Sequence, residues 1–95
     1  MEIEVMKFRL MKGDHPVRAY VSIRAGDWIV HEWRIIQRPG YRAVVQVPIT
    51  SWKDHDGRVQ YRALLSMPAD LQQQIEVAIL SAWAKEKQNA EKQVQ

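Results

Sequence analysis

Residues 17–25, VRAYVSIRA, alternate without a break: Val17, Ala19, Val21 and Ile23 fall on one side, Arg18, Tyr20, Ser22 and Arg24 on the other. A period of two marks a strand with one face buried and one solvated. Gly26 and Asp27 follow at once, and WIVHEWRIIQ comes after them. Two β-rich runs parted by two such residues predict a hairpin, with Gly26 free to take the positive φ of a tight turn. The rest of the chain must be arranged around this pair.

Upstream, IEVMKFRLM (3–11) reads as a first strand, and Gly13, Asp14 and Pro16 supply a turn. Downstream, RPG (38–40) turns the chain into a fourth strand, YRAVVQV (41–47), which Pro48 ends because it has no N–H to give a ladder. ITSWKDHDG (49–57) is the least regular stretch and closes on the turn pair Asp56–Gly57. RVQYRALL (58–65) reads as a fifth strand. The only convincing helical pattern is SMPADLQQQIEVAILSAWAKEK (66–87), where Leu71, Ile75, Ala78, Ile79 and Ala82 recur at helical spacing. Val77, Leu80 and Trp83 widen that stripe. Ser66 is the candidate N-cap, Pro68 suits the first turn and Asp70 complements the dipole. The expected fold is α+β: an antiparallel sheet of about five strands with one long C-terminal α-helix. It forms a single domain over residues 1–88, followed by a polar tail at 89–95.

One helix covers one face of a small sheet and leaves the other open. Tyr20, Trp33, Val44 and Trp52 are the candidates for what remains uncovered, and a second copy of the chain is the commonest cover. A homodimer is therefore expected on packing grounds.

The chain has 95 residues, so it holds one core and buries only about 60–65% of its unfolded surface. It has no cysteine, which excludes disulfides, thiolate metal sites and cysteine nucleophiles. No apolar run approaches the roughly 20 residues of a membrane span, and MEIEVMKFRL alternates rather than forming a signal-peptide core. A cytoplasmic protein is expected. Residues 1–66 hold eleven Lys/Arg against seven Asp/Glu, while residues 67–95 hold three against four. Most of the front cations are arginine, the side chain that pairs with phosphate through a planar fork.

DWIVHEWRII (27–36) sets His31 between two tryptophans. Strict alternation would place it on one face with Ile29, Trp33 and Ile35, with Glu32 and Arg34 opposite. A catalytic histidine needs a nucleophile and an orienting acid, and no Gly-x-Ser-x-Gly or cysteine partner exists. His31 is read as structural. Asp54, His55 and Asp56 are adjacent in sequence, so they point apart rather than converging on an ion. Gly13, Gly26, Gly40 and Gly57 stand at separate turns and make no phosphate loop. The sequence therefore points to no enzyme, metal or cofactor. The arginines are the better lead: Arg18, Arg24, Arg42 and Arg62, aligned across strands beside Tyr20, Tyr41 or Trp52, would form a ridge for a phosphate backbone.

VRAYVSIRAGDWIVHEWRII (17–36) resembles the hallmark of the SpoVG family, the stage V sporulation protein G or septation-protein family of bacteria. That family has an Arg-Ala-x-x-Ser-Ile strand, a turn, and a strand running Val-x-His-(Asp/Glu)-x-(Arg/Lys)-(Val/Ile)-Ile. Arg18, Ala19, Ser22, Ile23, Val30, His31, Glu32, Arg34, Ile35 and Ile36 stand in those places. The likeness continues at Gly40, at Val47–Pro48, at DGRVQYR (56–62) and in the final helix, covering about residues 3–84. The resemblance implies a small dimeric regulator that binds DNA and RNA, linked to septation, sporulation and gene expression, using basic residues after the fourth strand and near the C-terminus. This chain differs there: VPITSWKDHDG replaces Met-Pro-Ser with its Lys/Arg pairs, LLSMP replaces Ala/Val-His-Pro-Ile, and Gln72, Gln73 and Gln74 stand where many members carry cations.

Lys53, Arg58 and Arg62 are the expected nucleic-acid contacts, with Arg42 next and Trp52 as a stacking surface. His31, Trp33 and Ile35 form the expected sheet signature and dimer seam. The competing expectation is a non-catalytic adaptor dimer whose exposed aromatic surface docks a protein partner.

Overall fold

The computed structural model describes residues 2–93, with side chains described through Lys87. It is an α+β fold. Six strands run antiparallel as β1 (Ile3–Leu10), β2 (Val17–Ala25), β3 (Trp28–Ile36), β4 (Val44–Gln46), β5 (Ile49–Lys53) and β6 (Val59–Ala63), and α1 (Ala69–Gln93) follows. The strands make two sheets: β1-β2-β3-β4 in sequence order, and a separate β5-β6 hairpin. The count exceeds expectation by one because the irregular stretch at 49–57 contains β5. The helix runs past the expected domain boundary at 88 to Gln93, and residues 94–95 of the polar tail lie outside the described residues.

β2 behaves as its alternation requires. Val17, Ala19, Val21 and Ile23 are buried, while Arg18, Tyr20, Ser22 and Arg24 look outward. The inner face meets Ile75, Ile79 and Trp83 of α1, with Trp33 and Ile35 of β3, in one apolar cluster. Burial of each large side chain there contributes about 1.5–3 kcal/mol. Phe8 closes the β1 side, its ring centroid 6.1 Å from that of Trp83. Val77 does not widen the helix stripe; it is exposed on the solvent side. Ser66 is not the N-cap either. Gln72 N–H donates to the Pro68 carbonyl at 3.0 Å, which makes Pro68 the capping position and puts Ser66 two residues too early. Among the described residues, no helix is long and apolar enough to cross a membrane.

Three register shifts interrupt the sheet, one of them at Arg18 of β2, and the other two meet at one level of the open face. Val21 pairs with Trp33 and Ile23 with Val30, so β3 carries one extra residue opposite Ser22. Val5 pairs with Ile23 and Lys7 with Ser22, so β1 carries an extra residue at the same level. These are β-bulges, which bend a strand and re-aim its side chains. In β3 the distortion falls on Glu32, whose φ is 69°, a left-handed conformation that side chains other than glycine rarely adopt.

The β5-β6 hairpin is a sheet of its own and meets the main sheet at a cleft where Ile49, Thr50, Ser51 and Tyr61 face Tyr20, Glu32 and Arg34. All five residues of β6 are exposed. The Cα radius of gyration is 14.8 Å, against the about 12 Å of a compact chain of this length.

Candidate functional site

The β3 bulge changes which side chains share a face. Trp33 and Ile35 are fully buried under α1, with Val30 beside them, and His31 is exposed on the other side with Ile29. His31 therefore does not share a face with Trp33 and Ile35, because one inserted residue reverses the alternation. Of the three signature residues only His31 is open to a partner, and Trp33 is core rather than uncovered surface. His31 Nδ1 and Ser22 Oγ share a hydrogen bond of 2.8 Å. Among the described residues no carboxylate meets the other ring nitrogen of His31.

The expected ridge of free guanidinium groups does not form. Arg18 and Arg24 do lie on the open face, but Arg24 pairs with Glu4 and Arg18 donates to the Gly13 carbonyl at 3.2 Å. Arg9 lies 3.6 Å from Glu32 and 4.5 Å above the Tyr20 ring. Arg34 Nε donates to Gln46 Oε1 at 2.8 Å. Arg42 sits in the loop before a shortened β4, and Arg62 is in the second sheet. The open face thus carries two ion pairs, Arg24–Glu4 and Arg9–Glu32, while Arg18 and Arg34 bond neutral groups.

The hairpin assembles most of the other expected residues. Trp52 pairs with Gln60 and Thr50 with Arg62, so Trp52 and Arg62 share one hairpin face, the guanidinium 5.9 Å from the indole centroid. Ile49, Ser51, Lys53, Val59, Tyr61 and Ala63 alternate onto the other face. Lys53 is therefore separated from Arg62 by the thickness of the ribbon. Arg58 enters β6 from the turn. Asp54 builds that turn: its Oδ1 accepts from the Asp56 and Arg58 amides at 2.9 Å each, and its Oδ2 accepts from Gln60 Nε2 at 3.0 Å. Gly57, at φ 78°, completes the three-residue loop in the left-handed conformation such hairpins use. The Arg58 amide, then the Gln60 amide group, then the Asp56 amide hold the Asp54 carboxyl below its ordinary value. The Asp54–His55–Asp56 cluster is a turn, and Asp54 has both oxygens engaged in it.

A further group was only partly legible. Arg38 and Tyr41 join Arg42 around a cleft of about 650 Å³ floored by Ile36 and Val44, at the end of the sheet where β4 begins. The segment RPGYR carries the signal, two arginines and a tyrosine around a Pro-Gly turn, but the turn reading absorbed it.

No family model matches the chain, and no curated protein and no solved structure matches it either.

Proposed function

We propose that this chain is a non-catalytic nucleic-acid-binding regulator of the SpoVG kind. It works as a cytoplasmic homodimer and grips DNA or RNA with the β5-β6 hairpin. The carrying observation is the hairpin itself: a two-stranded ribbon whose β6 is exposed throughout, with the charged groups of Lys53, Arg58 and Arg62 more than 4 Å from any described carboxylate, and Trp52 beneath Arg62. A two-stranded ribbon fits the major groove, where arginine and lysine reach base edges and phosphates. The link to septation, sporulation or gene expression follows from the resemblance alone.

The same hairpin supports the dimer. A lone two-stranded ribbon is marginally stable in water. Its second face leaves Val59 and Tyr61 uncovered. The β3 edge from Trp28 to Trp33 is also unpaired beyond β4, whose ladder covers only Arg34 to Ile36. A second copy placed against these surfaces would bury both.

The test is binding of labelled random DNA and RNA pools at two salt concentrations, with the mass in solution recorded alongside. A dimer that binds salt-sensitively is expected. Arg58→Ala with Arg62→Ala should lower the log–log salt slope by about 2 on duplex DNA. An unchanged slope removes the hairpin from the model.

A protein-docking adaptor is the second reading, favoured by Trp28 and Ile29, which are 75% and 50% exposed at the β2-β3 turn. Retention on heparin that disappears at moderate salt separates the two, since an adaptor of net charge +3 would barely bind.

A further inference from the structure

The cleft beside the β3-β4 loop has the parts of a nucleotide site, and none of its cations is neutralised. Arg38, Arg42 and Tyr41, the last 73% exposed, line it together with the apolar Ile36 and Val44. Among the described residues neither arginine has a carboxylate within 4 Å, unlike Arg9 and Arg24 on the open face. A second cleft adjoins it through Arg38 and adds Arg18, with Asp14 as its only acid. Lys87 approaches from the helix, its Nζ 3.4 Å from Gln37 Oε1. The about 650 Å³ volume lies within the roughly 300–1,000 Å³ of ligand clefts.

The backbone of the turn that carries these side chains is held by its own hydrogen bonds. Tyr41 N–H donates to the Arg38 carbonyl at 3.0 Å, closing a turn with Pro39 and Gly40 at its centre. Gly40 has φ 81°, the positive value that a turn with proline before it requires at this position. Gln37 Nε2 donates to the Tyr41 carbonyl at 3.3 Å, tying the turn back to the end of β3. Arg38 and Tyr41 are therefore presented side by side by backbone constraint.

We propose that this cleft binds one unpaired nucleotide of a single strand. The base stacks on Tyr41 over the apolar floor, and Arg38 and Arg42 take the flanking phosphates. The chemistry selects a single strand because the faces of a paired base are already covered by its neighbours in a duplex, whereas an unpaired base offers its π-face to an aromatic ring. The inference rests on the nucleic-acid reading and deepens it. The hairpin grips a groove or backbone, and this second contact, on the loop before β4, selects for unpaired bases.

The experiment measures anisotropy of a fluorescein-labelled oligothymidylate and of a labelled duplex of equal length, using the full chain. Tyr41→Ala should weaken single-strand binding about tenfold, the size of one lost stack, and leave duplex binding unchanged. Tyr41→Phe, which keeps the ring, should retain wild-type affinity. Arg38→Ala with Arg42→Ala should lower the single-strand salt slope by about 1.4. All three side chains are exposed, and an unchanged melting temperature shows that the variants fold. If Tyr41→Ala keeps full single-strand affinity while Arg58→Ala with Arg62→Ala still weakens binding, the cleft is excluded and the hairpin reading stands. The reverse pattern supports the cleft and excludes the hairpin. If the wild-type chain binds neither probe at low salt, both readings fall.

Discussion

Ser22 Oγ and His31 Nδ1 meet at 2.8 Å across β2 and β3, at the level where both strands flanking β2 carry a bulge. The bond ties an exposed histidine to the middle strand at the point where the ladder is interrupted. It is a positioning contact on the open face, beside the cleft lined by Lys7, Arg9, Tyr20 and Glu32.

The first prediction follows from that exposure. His31→Ala should reduce stability by about 0.5–1.5 kcal/mol, the net value of one hydrogen bond, and leave the proposed nucleic-acid binding unchanged. Urea unfolding and the pool-binding assay check the two parts separately. A loss of binding at unchanged stability would move the functional surface onto this face.

How much of this was legible in the sequence can be judged strand by strand. The inner and outer faces of β2 follow from VRAYVSIRA alone, and Gly26–Asp27 do join it to β3, because alternation and turn chemistry are both local. The face of His31 was not legible. A bulge is one residue inserted against a partner strand, and nothing in WIVHEW announces it, since Glu32 has no special propensity for positive φ. β5 was hidden for a related reason: ITSWK shows no apolar alternation, because no residue of the strand is fully buried and its last three are exposed. The ridge of arginines failed because alternation gives the face of a residue but neither its sheet nor the acid across from it: Arg42 falls in a loop, Arg62 in the second sheet, and Arg24 meets Glu4 from the neighbouring strand.

Glu32 gives the second prediction. Its left-handed backbone costs about 1–2 kcal/mol that glycine would not incur, while its exposed ion pair with Arg9 contributes about 0–1 kcal/mol. Glu32→Gly and Glu32→Ala both lose the pair, but only the glycine variant relieves the strain. The glycine variant should therefore be the more stable of the two by about 1 kcal/mol in parallel urea titrations. Equal stabilities would mean that the bulge relaxes once the pair is gone.

The third prediction concerns the hairpin turn in acid. The Asp54 carboxyl is held below its ordinary value of 3.8 by the turn amides and Gln60. Its folded value is the lower one, so the stabilisation is fully present above about 3.8 and is lost as pH falls through the lowered value. Exchange of the Asp56 and Arg58 amide protons, followed by NMR, should lose its protection relative to the intrinsic rate only below that ordinary value. Asp54→Asn should exchange faster throughout and lose the acid step. An acid step that survives the substitution would assign it to another carboxylate.

Trp33 carries the last prediction, because its two halves have opposite energetics. The ring is fully buried between the sheet and α1, yet among the described residues its Nε1 has no hydrogen-bond partner. Trp33→Ala removes the packing and should cost about 3–5 kcal/mol. Trp33→Phe keeps an aromatic ring in the core while removing a donor whose burial without a partner costs about 1–3 kcal/mol. That relief offsets most of the packing lost with the smaller ring, so the phenylalanine variant should unfold within about 1 kcal/mol of the wild type. The two variants, compared by urea unfolding, therefore separate ring from donor. A phenylalanine variant as damaged as the alanine one would show that the indole N–H is satisfied, by a buried water or by a second copy of the chain, and that the polar half of Trp33 is what the core was built to hold.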